Sequence, residues 1–257
     1  MQPILSANEE WSEGTRRVGR RVLVFDCLDS TNSYAATLAQ DAANDGIVIL
    51  AKEQTAGRGQ HGRSWRCPAG TGVLLSVLLF PPPPLRRPAL LTAWAAVSVC
   101  ETIRQVAGLE ATIKWPNDVL VRGRKVCGIL IEQAQGAVVG IGLNVSQTAE
   151  DLAGLPRAGS LRVVSEKSFD CAQVARLLIR QLDEQYDHLC AGDLATLERH
   201  WRGALGLLDN HVAVECHDGT HHGRLRELAW EGLTLELGGG ELLRLAPEAV
   251  RHLDLAS

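Results

Sequence analysis

Four basic side chains lie close together in residues 57–66, the glycine-rich part of the stretch AKEQTAGRGQHGRSWR, residues 51–66. No Asp or Glu occurs between Gln54 and Cys100, so this stretch is basic without local compensation. Arginine forms bidentate contacts with phosphate or carboxylate, and glycine lets backbone N–H groups approach the same anion. The stretch therefore predicts an anion-binding loop, and the alternative is a flexible, solvated basic turn. The basic residues are Arg58, His61, Arg63 and Arg66.

The same loop spells G-x-G-x-x-G at Gly57, Gly59 and Gly62, the pattern of a dinucleotide-binding turn. The preceding run GIVILAKE is suited to a strand, as that motif requires. No helix can follow, because a proline and two glycines come before the next apolar run, and the acidic residue expected about 20 positions later is missing. A P-loop would need Gly-Lys-Ser/Thr, which is also absent. The sequence therefore excludes both of these nucleotide-binding loops.

A second candidate site lies in residues 113–132, IKWPNDVLVRGRKVCGILIE, which hold two of the four lysines among 26 basic residues. Two apolar runs flank Arg122-Gly123-Arg124, and this pattern predicts two strands joined by a tight turn. Such a hairpin brings Asp118 close to Lys125. The pair has two interpretations. It is an ordinary cross-strand ion pair, or it is a ligand- or metal-orienting carboxylate beside an anion-binding lysine.

A third candidate lies in residues 21–40, RVLVFDCLDSTNSYAATLAQ. The segment predicts a strand, a turn and a helix that begins near Ser30, Thr31 and Asn32. Each of the three is a good N-cap residue, so a helix start accounts for one of them. The other hydroxyl and amide groups could bond to the polar head of a ligand at that helix end.

Length and composition limit the classes of protein to consider. The chain has 257 residues, is 46% hydrophobic and carries a net charge of −4. We expect one main domain and one small one, and no general nucleic-acid binding. No stretch is apolar enough to span a membrane, and the N-terminus does not resemble a secretory signal. The seven cysteines show no C-x-x-C spacing, which favours free thiols in a cytoplasmic protein.

Five motifs together identify a resemblance. Ser30-Thr31-Asn32, EQTAGRGQHGRSW, KWPNDV, KVCGILIE and GIGLNV occur in the order and approximate spacing found in biotin protein ligases. The resemblance covers residues 22–145 strongly and the remainder through its layout. Members of this family join biotin to ATP, giving biotinyl-5′-adenylate and pyrophosphate, and then pass the biotinyl group to a lysine of an acceptor protein.

The resemblance implies a role for each matching residue. Lys125 matches the lysine that contacts the biotin carboxylate and the α-phosphate, and Asp118 matches an acid linked to the acceptor lysine or the metal. With Arg58 these form the catalytic set. The biotin-binding positions are Ser30, Thr31, Asn32, Gln54, Arg58, Gly59, Gln60 and Lys125. The nucleotide-binding positions are Gly57, Arg63, Trp65, Asn117 and Asn144.

The resemblance also implies cofactors and partners. ATP is a substrate with biotin, and Mg²⁺ is expected to arrive with ATP, since the sequence shows no direct metal-ligand cluster. The acceptor is expected to be the biotin carrier protein of acetyl-CoA carboxylase or of another biotin-dependent carboxylase, with neither DNA nor membrane as a partner and with a homodimer left open. Many relatives have arginine where this chain has Gln60, a change that could weaken retention of the adenylate.

The implied fold is a mixed-sheet α/β catalytic domain over residues 1–205, similar to class II aminoacyl-tRNA synthetases, followed by a small SH3-like barrel over residues 206–257. Helical spacing predicts helices over residues 168–189 and 193–201, and short strands with Gly-rich turns follow from about Leu207. About 20 residues precede the first predicted strand. We therefore expect no winged-helix DNA-binding domain and no repressor activity.

Three alternatives stay open at this point. Lipoate and octanoate protein ligases share the implied architecture, and a homologue that binds biotin without catalysis is a non-enzymatic alternative. The cluster of His217, His221 and His222 could suggest a metal site, but it lies in a predicted turn, and we expect surface histidines.

Overall fold

The predicted strands form two separate sheets. The structure is a computed structural model that describes residues 6–133 and 135–256. The larger sheet is mixed, since only its second and third strands run parallel. Its order is β1-β2-β3-β4-β8-β7-β6-β5, and its strands are β1 (Glu9–Trp11), β2 (Val22–Leu28), β3 (Val48–Gln54), β4 (Gly72–Leu79), β5 (Thr112–Lys114), β6 (Asp118–Val121), β7 (Arg124–Gln133) and β8 (Ala137–Asn144).

Helices cover this sheet, and one of the two longest is buried almost all round. The helices are α1 (Thr31–Thr37), α2 (Pro88–Ala107), α3 (Leu161–Ser165), α4 (Cys171–Cys190) and α5 (Leu194–Leu205). α2 contacts both the sheet and the helices α4 and α5, which themselves reach the sheet at β4 and β5. It begins with a proline at its first position and ends before Gly108, whose φ of 68° terminates it.

The two helices predicted from spacing are confirmed as α4 and α5. α4 begins at an N-cap, Asp170, whose carboxylate accepts hydrogen bonds from the backbone N–H groups of Ala172 and Gln173. The helical spacing that predicts α4 is that of Val174, Leu177, Leu178, Leu182 and Tyr186, and of these five only Leu177 is partly exposed. The apolar face of α4 therefore packs inward, as the 3.6-residue period requires.

The C-terminal strands form a five-stranded antiparallel sheet, β12-β11-β10-β9-β13. They are β9 (His211–Cys216), β10 (Thr220–Ala229), β11 (Gly232–Glu236), β12 (Leu242–Leu245) and β13 (Val250–Leu255). Alternate residues of β9 point inward, because Val212, Val214 and Cys216 are buried. The predicted α/β class with a small C-terminal β unit is confirmed, and closure of this sheet into an SH3-like barrel stays a prediction.

Tryptophans join the two sheets. The Trp115 indole Nε1 donates to the backbone oxygen of Val250 in β13 at 3.2 Å. Trp115 packs on Trp201 with ring centroids 6.0 Å apart, and Trp201 stacks on Trp230 at 4.7 Å. One cluster of buried apolar side chains extends through both sheets. The predicted domain division at residues 205 and 206 falls just after α5 and stays a prediction.

Among the described residues, no helix combines enough length with enough apolar character to cross a membrane.

Candidate active site

A cavity of about 740 Å³ lies over the larger sheet. It is bounded by the start of α1, the glycine-rich loop and the β6–β7 hairpin, and strands β9 and β13 of the second sheet contribute to its rim. Its lining contains more cationic than anionic side chains although the chain is net acidic, so the cavity suits an anionic ligand. The cations are Arg58, Arg63, Lys114, Lys125, Arg157 and Arg251, and the carboxylates are Asp118, Glu215 and Asp254.

A row of hydrogen-bonded polar groups lies at the start of α1. Thr31 donates from its backbone N and its Oγ1 to Gln54 Oε1 at 2.8 and 3.0 Å. Ser76 Oγ lies 2.7 Å from Thr31 Oγ1 and 2.6 Å from Asn32 Oδ1. Thr31, Asn32 and Ser76 are all buried, so these contacts fix their orientation.

The row continues to a carboxylate at the end of β7. Asn32 Nδ2 donates to Glu132 Oε2 at 2.7 Å, and Arg58 Nη2 donates to the same oxygen at 2.8 Å. Glu132 therefore ties the glycine-rich loop, through Arg58, to the helix start that carries Asn32. Four of the predicted biotin-binding residues thus meet in one network, namely Thr31, Asn32, Gln54 and Arg58.

Ser30 is the N-cap of α1, but its hydroxyl makes no capping hydrogen bond. The side chain is buried and lines the cavity. The helix begins where the sequence predicts, but the Ser30 hydroxyl is not used to cap it. The Ser30 hydroxyl is therefore available for a ligand, which favours the interpretation that the Ser-Thr-Asn run bonds to the polar head of a ligand.

Asp118 and Lys125 meet across the predicted hairpin. Lys125 Nζ lies 2.6 Å from Asp118 Oδ1. The turn has Arg122 at φ 50° and Gly123 at φ 75°, the left-handed pair that suits a two-residue hairpin turn. A register shift pairs Lys125 with Leu120, so Asp118 is its diagonal neighbour on the same face of the sheet. Both side chains line the cavity, so the ion pair belongs to the candidate site.

Trp65 lies against glycines of two paired strands. Gly128 of β7 faces Gly142 of β8. A Cβ atom added to Gly128 would lie 2.9 Å from the Trp65 ring, and one added to Gly142 would lie 2.5 Å from it. Lys125 Nζ lies 5.6 Å from the Trp65 ring centroid, within range of a cation–π contact. The glycines of KVCGILIE and GIGLNV thus leave room for the indole.

Gly140 leaves similar room for another candidate residue. A Cβ atom at Gly140 would lie 2.3 Å from Asn32 Oδ1. The two glycines of GIGLNV therefore serve two different side chains of the site, Asn32 and Trp65.

The glycine-rich loop closes on itself as a short hairpin. Arg58 and Ser64 form an isolated antiparallel bridge, and Gly59 N donates to Arg63 O at 2.7 Å. No helix follows, which agrees with the exclusion of a dinucleotide-binding turn. Arg58, Gly59, Gln60 and Arg63 all line the cavity.

Two predicted nucleotide-binding residues do not line the cavity, although the others do. Asn144 is buried, donates to Gly159 O at 2.9 Å and accepts from Gln147 Nε2 at 3.0 Å. Gly57 accepts on its backbone oxygen from Trp65 N at 2.9 Å. Asn117 lines the cavity and also donates from Nδ2 to Ile129 O at 2.7 Å. Asn144 and Gly57 thus form hydrogen bonds that hold neighbouring segments of the backbone in place.

Several residues at the site carry little signal in the sequence. Ser76 and Glu132 stand out only as polar residues in or at the end of apolar runs, which is a weak signal. Lys114 is one of the four lysines, but its sequence context indicates no role; its Nζ lies 3.4 Å from Asp254 Oδ2. Nothing local in the sequence indicates that β9 and β13 reach the cavity.

Cys127, one residue before Gly128, is fully buried behind the site. Burial raises the pKa of its thiol well above the usual range, and the nearby Lys125 ammonium opposes this shift only in part. The thiol is therefore neutral and serves as a packing group, not as a nucleophile.

Comparisons with known proteins give one consistent result. The sequence model of the biotin/lipoate A/B protein ligase family matches residues 24–145. The bifunctional ligase/repressor BirA of Bacillus subtilis is 33% identical over 230 residues, which cover 86% of this chain and 70% of that protein. The biotin–[acetyl-CoA-carboxylase] ligase of Mycobacterium tuberculosis is 38% identical over 168 residues, 62% of each chain.

The fold is also similar to a solved structure. Biotin protein ligase from Aquifex aeolicus, in complex with biotin and ATP, superimposes with a TM-score of 0.77 at 24% identity and covers 91% of this chain and 99% of its own. At this identity the likeness concerns the fold, and it includes both sheets.

Proposed function

The chain belongs to the biotin/lipoate A/B protein ligase family, and from this premise we infer that it is an ATP-dependent biotin protein ligase. It forms biotinyl-5′-AMP from biotin and ATP and then transfers biotin to a specific lysine of a biotin carrier protein. One observation carries the assignment to this cavity: Arg58, Lys125 and Asp118 converge there with the polar row of Thr31 and Asn32.

The first step brings two anions together. An oxygen of the biotin carboxylate attacks the α-phosphorus of ATP, the bond from that phosphorus to the β-phosphate oxygen breaks, and pyrophosphate leaves. Charge repulsion opposes this approach. We propose that Lys125 and Arg58 neutralise the carboxylate and the α-phosphate and orient them for in-line attack.

Mg²⁺ is proposed as the ion that accompanies ATP. Among the described residues, no preformed cluster of carboxylates lies in the cavity, and Asp118 is already paired with Lys125. This donor set fits a magnesium ion held mainly by phosphate oxygens, with Asp118 offering one carboxylate oxygen. The ion would supply further neutralisation of phosphate charge.

The second step needs a neutral amine. The acceptor lysine attacks the acyl carbon of the adenylate, an amide bond forms, the bond to the phosphate oxygen breaks, and AMP leaves. We propose that Asp118 orients this amine and accepts its proton, while Lys125 remains with the phosphate. The glycine-rich loop shields the hydrolysable adenylate from water.

The polar row favours biotin over lipoate. The ureido ring of biotin has a carbonyl acceptor and two N–H donors, which can pair with the hydroxyl and amide groups of Ser30, Thr31 and Asn32. The dithiolane ring of lipoate has no such groups and would leave the buried Ser30 hydroxyl, which makes no capping hydrogen bond, without a polar partner, which is costly. The cavity chemistry thus supports the biotin ligase over its lipoate-specific relatives.

We propose that the acceptor is the carrier protein of acetyl-CoA carboxylase, because the M. tuberculosis relative bears that activity in its name. A cytoplasmic location is proposed with it, since all seven cysteines are free thiols. A homodimer is also proposed, and this proposal rests only on the resemblance to the family.

ATP–pyrophosphate exchange tests the proposed function. We expect exchange that depends on biotin, is not supported by lipoate and falls by at least about 100-fold in Lys125→Ala, because a removed charge-stabilising donor costs about that much. Lys167→Ala removes an exposed lysine outside the cavity and should leave exchange unchanged.

Two outcomes would contradict the assignment. Exchange with lipoate alone would place the chain with the lipoate ligases. A folded protein that shows exchange with neither acid would be a binding protein without catalysis.

A further inference from the structure

The turn between β9 and β10 brings together three side chains of metal-binding types. Cys216 ends β9, Asp218 lies in the turn, and His221 is the second residue of β10. The Cys sulfur, a carboxylate oxygen and a His ring nitrogen all lie within 4.8 Å of one another. The spacing of the histidines alone predicts surface side chains here, because it does not show that Cys216 and Asp218 lie beside His221.

Strand register explains why these side chains converge. His221 pairs with Val214, so both point to the same face of the sheet. Cys216 lies two residues beyond Val214 and shares that face. The face is the apolar interior, because Val214 and Cys216 are both buried. Cys216 and His221 are therefore diagonal neighbours at the end of the sheet interior, with Asp218 beside them.

The histidine lacks a hydrogen bond that a buried ring nitrogen normally makes. His221 Nε2 is buried and has no hydrogen-bond partner among the described residues. Its nearest acidic oxygen, Asp218 Oδ1, lies 3.8 Å away, too far for a hydrogen bond. Nitrogen and oxygen ligands at about 2.1 Å from a tetrahedral zinc ion lie about 3.4 Å apart. The observed separation therefore needs to shorten by only a few tenths of an ångström.

We propose that Cys216, Asp218 and His221 bind one divalent transition-metal ion, with zinc as the expected occupant. A thiolate, an imidazole and one carboxylate match zinc, whereas calcium and magnesium prefer oxygen ligands alone. As the sulfur–metal bond forms, the Cys216 thiol releases its proton to solvent. The three protein ligands leave the fourth tetrahedral position for water.

The site lies next to the rim of the cavity. His217 Nδ1 is 2.8 Å from Arg251 Nη2 and is thus already engaged. Arg251 and Glu215 both line the cavity. Glu215 precedes Cys216 in β9, and Arg251 follows Val250, the strand partner of Cys216 in β13. A bound ion would fix the end of β9 and so brace the part of the second sheet that faces the cavity.

Cobalt titration of the full chain tests the proposal. The protein is purified without a histidine tag, stripped with a chelator and titrated with Co²⁺, since a thiolate ligand gives cobalt a near-ultraviolet charge-transfer band that histidine or carboxylate alone does not. We expect one equivalent of Co²⁺ to produce this band and Zn²⁺ to displace it.

Matched variants assign the ligands. Cys216→Ala should abolish the band, and His221→Asn and Asp218→Ala should each weaken binding by at least about tenfold. Asp218 is exposed, so its variant retains the fold and keeps the test valid if a Cys216 variant does not fold. Cys27→Ser and His222→Ala each change an exposed residue of the same type, and both should bind like the parent.

Three results would contradict the proposed metal site. A parent protein without the charge-transfer band would overturn the proposal. So would a band that survives in Cys216→Ala, or Co²⁺ binding that falls in the control variants as much as in Asp218→Ala.

Discussion

Arg58 donates to Glu132 in the structure, whereas the proposed chemistry assigns it to the anions of biotin and ATP. Both side chains are partly exposed, at 46% and 36%. Ion pairs of this kind contribute about 0–1 kcal/mol, much less than contacts with a phosphate in a closed site. Glu132 therefore orders the loop without preventing Arg58 from moving to a ligand.

Ser76 is the residue that we expect to position the biotin end of the cavity. It is fully buried and lies within 2.7 Å of both Thr31 and Asn32. Ser76→Ala would leave buried polar atoms of these residues unpaired, at about 1–3 kcal/mol. We expect the KM for biotin in pyrophosphate exchange to rise about 10- to 100-fold while the KM for ATP changes little.

Ser98→Ala is the matched control. Ser98 is equally buried, but it donates to the backbone oxygen of Trp94 inside α2 and not to Thr31 or Asn32. This variant should lower stability and leave both KM values unchanged. An equal rise of the biotin KM in the two variants would show that Ser76 acts through stability alone.

The sequence predicts a contact between two side chains when they lie close together in the chain. The Asp118–Lys125 pair follows from one hairpin, so the spacing was enough to predict it. Asn32 and Glu132 are 100 residues apart, and Ser76 and Asn32 are 44 apart. No local pattern encodes such contacts, because they depend on how the strands of the sheet are ordered.

Strands β7 and β8 act as a pair that accommodates Trp65. Their facing glycines, Gly128 and Gly142, remove the two Cβ atoms that would occupy the space of the indole. The buried Trp65 Nε1 has no hydrogen-bond partner among the described residues. The indole is thus positioned by the strands and keeps a free donor, which agrees with its proposed place on the nucleotide side.

Gly142→Ala tests this arrangement. The added Cβ would lie 2.5 Å from the Trp65 ring, so the indole must shift. Overpacking of this kind costs about 1–3 kcal/mol, and we expect the KM for ATP in the exchange assay to rise about 10- to 100-fold.

Gly203→Ala provides the comparison for that variant. Gly203 lies within α5, and a Cβ there meets nothing within 4 Å. Exchange kinetics should stay at the parental level, and the helix should gain slightly in stability. A parental ATP KM in folded Gly142→Ala would separate Trp65 from nucleotide binding.

The elements themselves were predictable to different degrees. α4, α5 and the strands of the second sheet up to β12 follow from clear periodicity and turn residues. α2 has no such period, because its residues are apolar and buried on nearly every side. β1 spans three residues, Glu9–Trp11, and is too short to give a pattern.

The whole molecule buries several titratable groups in its interior. Burial raises the pKa of Cys100 to about 12 and the pKa of Cys127 well above its usual range. The pKa of Tyr186 is also raised, mainly by burial. In the unfolded chain a cysteine thiol ionises near pH 8.5. The folded protein therefore retains protons that the unfolded chain loses in alkaline solution.

Stability should accordingly fall as pH rises. Above about pH 8.5 the unfolded state binds fewer protons than the folded state, so the free energy of unfolding decreases by up to about 1.4 kcal/mol per pH unit for each such thiol. Urea denaturation at pH 7 and at pH 10 measures this effect. We expect a lower free energy of unfolding at pH 10, and a smaller difference in Cys127→Ala.

Cys27→Ala controls for the loss of any thiol, since Cys27 is exposed. Its difference between the two pH values should match that of the parent. If Cys127→Ala also matched the parent, the buried thiol would not be the source of the alkaline instability.

The cavity rim drawn from β9 and β13 has a thermodynamic consequence. A ligand that contacts the rim and the larger sheet binds only when both are folded, so its binding free energy is added to the stability of the two sheets jointly. Local opening of either sheet then costs the ligand contacts of both, so each sheet resists opening more strongly. When the site is occupied, the larger sheet and the second sheet behave as one cooperative unit. The affinity for substrate then depends on the second sheet being folded.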